Sequence, residues 1–291
     1  MGRIFPAMTA ALEFREVSYA YPGAAPGVKA LERVSLRVEP GERLGVLGPN
    51  GGGKSTLLKI AMGLLDGYEG EALVFGQPPR RARSEGLIGY LPQRIEAELG
   101  FPISARQAVS SGAALRTGPL HRPSAEVRAR VNRALELVGV ESLADRPIGK
   151  LSGGQLQRVM IARAIATAPR ILALDEPMVG VDAVGQRRFA DLLGTLHREL
   201  GLTIVIVSHD IRGIAAACDR VACLARTLHF HDSPGGLTPQ ILAEAFSHQV
   251  EGVFGEVHVD AHAASECGHE HHDHGDGHGH AHGAGGGCAD H

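Results

Sequence analysis

The stretch Gly48-Pro49-Asn50-Gly51-Gly52-Gly53-Lys54-Ser55 decides how the rest of this sequence is interpreted. A glycine, four further residues, a glycine, a lysine and a serine form the pattern of a phosphate-binding loop. The glycines let backbone N–H groups curve around an anion, and the helix that follows adds its positive N-terminus. A short apolar strand pattern at 43–47 and a helical pattern at 56–65 flank the loop, as this chemistry requires. We expect Lys54 to reach the β- and γ-phosphates of a nucleotide and Ser55 to bind Mg²⁺.

A second segment is predicted to complete that site. The apolar run 171–174 has the composition of a central strand, and Asp175 and Glu176 follow it directly. Polar groups at the carboxyl end of such a strand lie where α/β sheets bind ligands. We expect Asp175 to hold the Mg²⁺ ion and its water shell, and Glu176 to orient or deprotonate the attacking water.

Hydrophobic patterns on either side of these motifs indicate the fold class. Segments 12–21 and 31–39 alternate apolar and polar residues, as two half-buried antiparallel strands do. From about residue 169, buried strand patterns alternate with helices, which is typical of an α/β core with a mainly parallel sheet. Residues from about 100 to 168 have helical spacing instead. We therefore expect an α/β fold with an N-terminal antiparallel β subdomain and an α-helical insert, forming one domain over 12–254.

The charge of the chain is divided between two parts. Lys and Arg total 29 and Asp and Glu total 32, so the net charge is −3. No basic residue follows Arg226, whereas ten acidic residues do, so residues 1–226 carry +7 and residues 227–291 carry −10. A basic body suits a nucleotide, and the same excess would suit a nucleic acid. The Gly/His/Asp-rich end, residues 255–291, cannot bury a core and is predicted to be disordered.

Several classes of protein are excluded by other properties of the chain. Its apolar runs have the length of buried strands, well below the ~18–20 residues of a membrane-spanning helix. Its 44% apolar residues and 39 glycines are ordinary for a globular protein. Four cysteines in 291 residues do not make a disulfide framework, so a reduced, cytoplasmic protein is predicted. Cys218 and Cys223 are expected in the core.

A third motif, Leu151-Ser152-Gly153-Gly154-Gln155, identifies the family that this sequence resembles. Ser152 and Gln155 have the spacing of a capping box, and on that pattern alone the motif is a good helix start. The two glycines also leave the helix N-terminus bare, which suits a phosphate. The motif strongly resembles the signature of ATP-binding cassette (ABC) ATPases, and the resemblance covers roughly residues 12–230. It implies a P-loop NTPase core with ABC ATPase architecture.

The resemblance implies roles for further residues. Tyr21 matches the aromatic residue that stacks on adenine, with Tyr19 as the alternative, and Gln93 matches the glutamine that senses Mg²⁺ and the attacking water. Asp182 matches the aspartate at the dimer seam, and His209 the histidine that contacts the γ-phosphate. The implied nucleotide-binding set is Tyr21, Gly48, Pro49, Asn50, Gly51, Gly52, Gly53, Lys54, Ser55, Thr56, Gln93, Ser152, Gly153, Gly154, Gln155, Asp175 and Asp182, with Ser55, Gln93 and Asp175 around Mg²⁺. Lys54, Gln93, Glu176 and His209 are the implied catalytic residues.

The family also implies partners. Two copies would form a head-to-tail homodimer in which Ser152–Gln155 of one copy close over ATP bound by Lys54 and Ser55 of the other. A separate integral-membrane permease is implied, with the ATPase on the cytoplasmic face of the inner (plasma) membrane. A soluble, non-transport ATPase that acts on DNA, RNA or an assembly complex is the alternative. It is disfavoured because only 98 residues separate Lys54 from Ser152, leaving no room for a long coiled-coil insert, and because the chain has one cassette. No nucleic-acid partner is expected.

Four segments are similar to the zinc/manganese uptake branch of these ATPases: Gly51–Gly53, Phe101–Ile103, Val179–Asp182 and Leu228–His231. This similarity implies an importer of a divalent metal ion, with zinc first and manganese, iron or another solute as alternatives. A periplasmic or extracellular metal-binding protein would deliver the metal to the permease.

The C-terminal end adds chemistry of its own. It contains seven closely spaced histidines: His269, His271, His272, His274, His278, His280 and His282. Imidazole suits Zn²⁺, Ni²⁺ and Cu²⁺, whereas Mn²⁺ prefers carboxylate and water. The loose spacing offers many equivalent ligand sets, so exchangeable zinc binding is expected rather than one closed tetrahedral site. A solvated low-complexity tail with incidental metal affinity is the alternative. His229 and His231 are expected to be surface residues of a strand and not ligands.

Overall fold

The computed structural model describes residues 9–93, 102–113, 124–238 and 241. Its strands are β1 (Leu12–Tyr19), β2 (Leu31–Val38), β3 (Arg43–Leu47), β4 (Glu69–Val74), β5 (Ile88–Leu91), β6 (Ile171–Asp175), β7 (Thr203–Ser208), β8 (Arg220–Ala225) and β9 (Thr227–Asp232). Its α-helices are α1 (Lys54–Ala61), α2 (Pro79–Ser84), α3 (Ala105–Ala113), α4 (Ala125–Leu137), α5 (Gly153–Ile165), α6 (Ala183–Leu200) and α7 (Ile211–Ala217).

The larger sheet has the strand order β5-β6-β7-β3-β8-β9. All its pairings are parallel except that of the edge strand β9, which runs antiparallel to β8. The loop after β3 therefore lies at the same edge as the residues after β6 and β7, because parallel strands end on one side of a sheet. This geometry brings the phosphate loop, Asp175–Glu176 and His209 together.

A second, antiparallel sheet has the order β2-β1-β4. The alternation in 12–21 and 31–39 is confirmed as an antiparallel pair, β1 and β2. The predicted α/β class is confirmed, with a mainly parallel sheet and an antiparallel β subdomain. Three helices lie within the predicted helical segment, and Ser124 caps α4 by accepting a hydrogen bond from the Val127 amide.

The parallel sheet is buried on both faces, which explains why its strands are continuous apolar runs rather than alternating ones. Along β6, Leu172 and Leu174 pack into a core with helices α3–α6. Ile171 and Ala173 face the other way, into a core with α1 and the antiparallel sheet. Cys218 and Cys223 are buried, as expected. Burial raises the pKa of the Cys218 thiol to about 12 and that of Cys223 to about 11.

The first helix and the first strand differ from their predicted bounds. The helix after the loop spans Lys54–Ala61 rather than 56–65. It ends early because Gly63 adopts a left-handed φ of 61° and its amide bonds back to the Ile60 carbonyl. The first strand ends at Tyr19, so Tyr21 lies in the following loop. Within the described ranges, none of the helices combines the length and apolar character needed to cross a bilayer.

Candidate nucleotide-binding site

The phosphate loop is held in shape by its own lysine. Nζ of Lys54 donates to the carbonyl oxygens of Gly48 and Pro49, at 2.8 and 3.0 Å. The side chain is almost fully buried, and this burial lowers its pKa below the usual value although nearby Glu176 opposes the shift. The Lys54 ammonium group lies at the N-terminus of α1, where an anion would be bound.

Close packing explains two of the loop's glycines. A Cβ atom at Gly48 would lie 1.9 Å from the carbonyl oxygen of Leu224 in β8, which is an impossible contact. Gly53, the N-cap residue of α1, has a left-handed φ of 92°, so its backbone also favours glycine. The loop can therefore lie directly against the neighbouring strand and turn into α1.

Asp175 and Ser55 form the part of the site that suits a magnesium ion. Oγ of Ser55 donates to Oδ1 of Asp175 at 3.1 Å, and the hydroxyl of Tyr90 approaches Oδ2 at 3.3 Å. Burial raises the pKa of Asp175, opposed by these two hydrogen bonds. A hydroxyl and a carboxylate that already touch are the oxygen donors that Mg²⁺ takes beside a nucleotide, so the residues present fit the ion.

Glu176 and His209 form a second contact at this edge. Oε2 of Glu176 lies 2.8 Å from Nδ1 of His209, and Oε1 lies 3.6 Å from Nζ of Lys54. The Glu176 side chain is 4% exposed, whereas that of His209 is 50% exposed. Glu176 also has a left-handed φ of 49°, a conformation that is strained for a residue with a side chain and that recurs at functional sites.

An open cleft of about 560 Å³ lies at the phosphate loop; Asp175 and His209 are not among its lining residues, and His209 lines a separate cavity. Its lining includes Tyr21, the loop from Pro49 to Thr56, Gln93 and Glu176. Tyr21 is 41% exposed, and its hydroxyl lies 3.0 Å from Oγ1 of Thr56. Tyr19 is buried in the core and touches Tyr21 edge to face, so of the two tyrosines only Tyr21 offers a free ring face to the cleft.

Other predicted residues lie apart from the cleft within one chain. Ser152 and Gln155 form the predicted capping box at the start of α5, with both reciprocal hydrogen bonds present. Gly153 and Gly154 are exposed, and a Cβ atom on either would meet nothing within 4 Å. Asp182 is exposed and caps α6 by accepting from the Gly185 amide at 2.7 Å. None of the five lines the cleft in this chain.

Three residues near the site were not singled out by the sequence patterns. Tyr90 contacts Asp175 across the β5–β6 pair, and its place three residues before Gln93 was the available signal. Lys29 and Arg226 line the cleft, but they lie in turns whose position depends on the tertiary structure. The segment 269–282 with its seven histidines lies outside the described residues. Among the described residues, no group of three His, Cys, Asp or Glu side chains could hold a metal ion.

The comparisons with known proteins agree with this geometry. The family model of the ABC transporter matches residues 31–179. The zinc import ATP-binding protein ZnuC of Cereibacter sphaeroides is 41% identical over 229 residues, which cover 76% of this chain and 84% of that protein. The manganese transport system ATP-binding protein MntB of Listeria monocytogenes is 41% identical over 202 residues, covering 69% and 83%.

A solved structure extends the similarity to three dimensions. The dimeric, post-hydrolysis structure of the ATP-binding cassette MJ0796 bound to ADP and phosphate has a TM-score of 0.65 and 28% identity. The match covers 78% of this chain and all of that one. The chain belongs to the ABC transporter family. It is the ATP-binding, ATP-hydrolysing subunit, and the resemblance inferred from its motifs is confirmed.

Proposed function

We propose that this ATPase powers the import of a divalent metal ion and that the ion is zinc. The observation that carries the proposal is the 41% identity to a named zinc import subunit over three quarters of this chain. Similarity in four separate segments to the zinc/manganese branch supports it from the sequence. During transport, the cargo itself would be bound by other subunits.

In the proposed site, each residue has a role that follows from its position. Lys54 binds the β- and γ-phosphates from the floor of the loop, and the loop amides and the N-terminus of α1 bind the remaining charge. Tyr21 stacks on the adenine ring at the exposed end of the cleft. Ser55, Asp175 and Gln93 would hold Mg²⁺, which would neutralise developing phosphate charge when bound.

Glu176 is proposed to act as the general base for the attacking water. Its carboxylate lies between Lys54 and His209. Because Nδ1 of His209 orients Oε2, Oε1 is the oxygen that accepts the proton. His209 holds the Glu176 carboxylate through Nδ1 and is exposed enough to meet the γ-phosphate with its other ring nitrogen. The strained backbone of Glu176 fixes this orientation before the substrate binds.

Catalysis is proposed to need a head-to-tail homodimer. The N-terminus of α5, where Gly153 and Gly154 are exposed, presents backbone amides that have no hydrogen-bond partner among the described residues. Placed over the cleft of a second copy, these amides would bind the γ-phosphate, and Asp182 would lie at the seam. ATP would stabilise the closed pair because its charge lies between two positive faces, and hydrolysis would release it.

A separate integral-membrane permease is the proposed partner that carries the metal. A periplasmic or extracellular metal-binding protein would supply it, and the ATPase would be held at the cytoplasmic face of the inner (plasma) membrane by the permease. Co-purification of the full chain with a multispanning membrane protein tests the partnership. Recovery with nucleic acid or a soluble assembly instead would contradict it.

The cargo is tested by uptake of radioactive zinc and manganese into cells that depend on this chain. The Glu176→Gln variant should abolish energy-dependent zinc uptake at equal protein abundance. The exposed Glu199→Gln variant, on α6, is the matched control and should leave uptake unchanged. Loss of manganese uptake alone would favour the second candidate, a manganese importer, which the 41% identity to a named manganese subunit supports. Loss of neither would contradict metal import.

The histidine-rich C-terminal segment is proposed to buffer or sense imported zinc. The proposal rests on composition: seven imidazoles within 269–282, with carboxylates between them. Equilibrium dialysis of the full chain against a chain ending at residue 254 should show loss of most bound zinc with unchanged ATP hydrolysis. Equal zinc binding by both would contradict a role for the tail.

A further inference from the structure

Arg226 connects the phosphate loop to the antiparallel sheet. It lies in the turn between β8 and β9 and lines the nucleotide cleft. Its amide donates to the Gly52 carbonyl oxygen at 3.0 Å, and its own carbonyl oxygen accepts from the Glu32 amide at 2.9 Å. The backbone of Arg226 is therefore held directly against the loop that surrounds the phosphates.

The Arg226 side chain differs from the other cations of the cleft. Lys54 is bonded to loop carbonyls and lies 3.6 Å from Glu176, and Lys29 pairs with Glu69 at 3.0 Å. Within the described residues, the exposed guanidinium of Arg226 makes no hydrogen bond or ion pair with another side chain. Among the described residues that line this cleft, Arg226 is therefore the cation without a side-chain partner.

The backbone conformation at Arg226 favours glycine. Its φ of 64° lies in the left-handed region, where glycine is the unstrained residue. A residue with a side chain at such a position is strained. Glycine at this position would preserve both backbone hydrogen bonds, so these bonds do not require an arginine.

The charges of the cleft indicate what Arg226 binds. A nucleoside triphosphate brings about four negative charges. The Glu176 carboxylate lines the cleft, and the Asp175 carboxylate contacts Ser55 of the cleft lining. Lys54 is partly compensated by Glu176, so a second cation beside the loop would strengthen the binding of the phosphates. We propose that the Arg226 guanidinium binds a phosphate oxygen of the nucleotide as the second cation of the phosphate loop. This inference rests on the proposed assignment of the cleft to ATP.

Arg226→Gly is the informative variant, because glycine adopts the observed backbone without strain and removes only the side chain. Arg226→Lys retains a cation but not the planar guanidinium. Arg33→Gly is the matched control: Arg33 also has a left-handed φ, 47°, and is exposed, but it pairs with Glu16 outside the cleft. Calorimetry on the full chain would give the dissociation constants of ATP, ADP and adenosine.

Arg226→Gly should weaken ATP and ADP binding about tenfold, as expected for loss of a charge-assisted hydrogen bond, and leave adenosine binding unchanged. Arg226→Lys should recover part of the loss, and Arg33→Gly should bind as the wild type does. Wild-type ATP affinity in Arg226→Gly, or an equal loss for adenosine, overturns the role of Arg226 while leaving the cleft as the ATP site. Failure of the wild-type chain to bind ATP overturns both assignments.

Discussion

Nδ1 of His209 lies 2.8 Å from Oε2 of Glu176, although 33 residues separate them in the chain. Glu176 directly follows β6 and His209 directly follows β7, and these are neighbouring parallel strands. The Glu176 amide also donates to the Val207 carbonyl oxygen at 2.8 Å, so the two strand ends are joined through the backbone. The sheet, rather than either segment alone, creates this pair.

The pair predicts coupled losses of ATP hydrolysis. Glu176→Gln and His209→Ala should each reduce the steady-state rate by about 10²–10⁴-fold, the usual contribution of a positioned acid or base. The double variant should lose little more than Glu176→Gln, because His209 acts partly through that carboxylate. Phosphate release measures the rates, with Glu199→Gln as control. Fully additive losses would mean that the two side chains act independently.

Glu176→Gln should also accumulate an ATP-bound dimer, detected by gel filtration with ATP and Mg²⁺. The amide keeps the shape of the side chain but cannot take the proton, so the closed state forms and persists. Normal turnover in this variant would contradict the assignment of Glu176 as the base.

Tyr21 should affect nucleotide affinity through its ring and not through its hydroxyl. Tyr21→Ala should weaken ATP binding by about 1–3 kcal/mol, the range measured for stacking of a base on an aromatic side chain. Tyr21→Phe retains the ring and loses only the contact to Thr56, so its affinity should stay near that of the wild type. Titration with a fluorescent ATP analogue measures both. Equal losses in the two variants would show that the hydroxyl, not the ring, matters.

Gly154→Asp should leave the fold of the single chain intact but abolish the function of the dimer. The added Cβ meets nothing within 4 Å, and a carboxylate in the first turn of α5 stabilises the helix by about 0.3–1 kcal/mol. Thermal unfolding without nucleotide should therefore show equal or higher stability. ATP-dependent dimer formation and hydrolysis should be lost, since the carboxylate would face a partner's γ-phosphate. Retained hydrolysis would place the N-terminus of α5 away from the nucleotide.

The ion pair of Asp219 with Arg43 should make stability depend on pH. Nη2 and Nε of Arg43 lie 2.5 and 3.1 Å from the Asp219 carboxylate, and they lower the pKa of that carboxyl below its usual range. A carboxyl whose folded pKa is depressed stabilises the protein above its unfolded pKa of about 3.9 and loses that effect as the pH falls through the folded pKa.

Asp219→Asn should accordingly lower the free energy of unfolding at pH 7 by less than about 1 kcal/mol, because the Asp219 side chain is half exposed. The difference from the wild type should shrink as the pH falls from 5 towards 3. Urea unfolding across this range measures it. Asp191→Asn, at an exposed position with no ion pair among the described residues, should show no such trend. A difference that grows on acidification would contradict the pairing.

Local patterns predicted much of the fold. The strand at 43–47 has the predicted bounds, and the capping residue Ser152 was identified from its spacing to Gln155. These features depend on hydrogen bonds within a few residues, so they can be inferred from a short stretch of sequence. The early end of α1 at Ala61 could not be inferred, because Gly63 was compatible with either a helix interior or a cap.

The candidate site, like the fold, was predicted only in part from the sequence. The sequence by itself determined the residue types: a glycine loop with Lys54, two carboxylates after an apolar strand, and a serine-glycine helix start. Only the tertiary structure decided the contacts, such as Ser55 with Asp175 and the approach of Arg226 to Gly52, because these join segments brought together by strand order. Strand order depends on the burial of whole faces of the sheet. A local sequence pattern therefore does not predict which two strands will be neighbours.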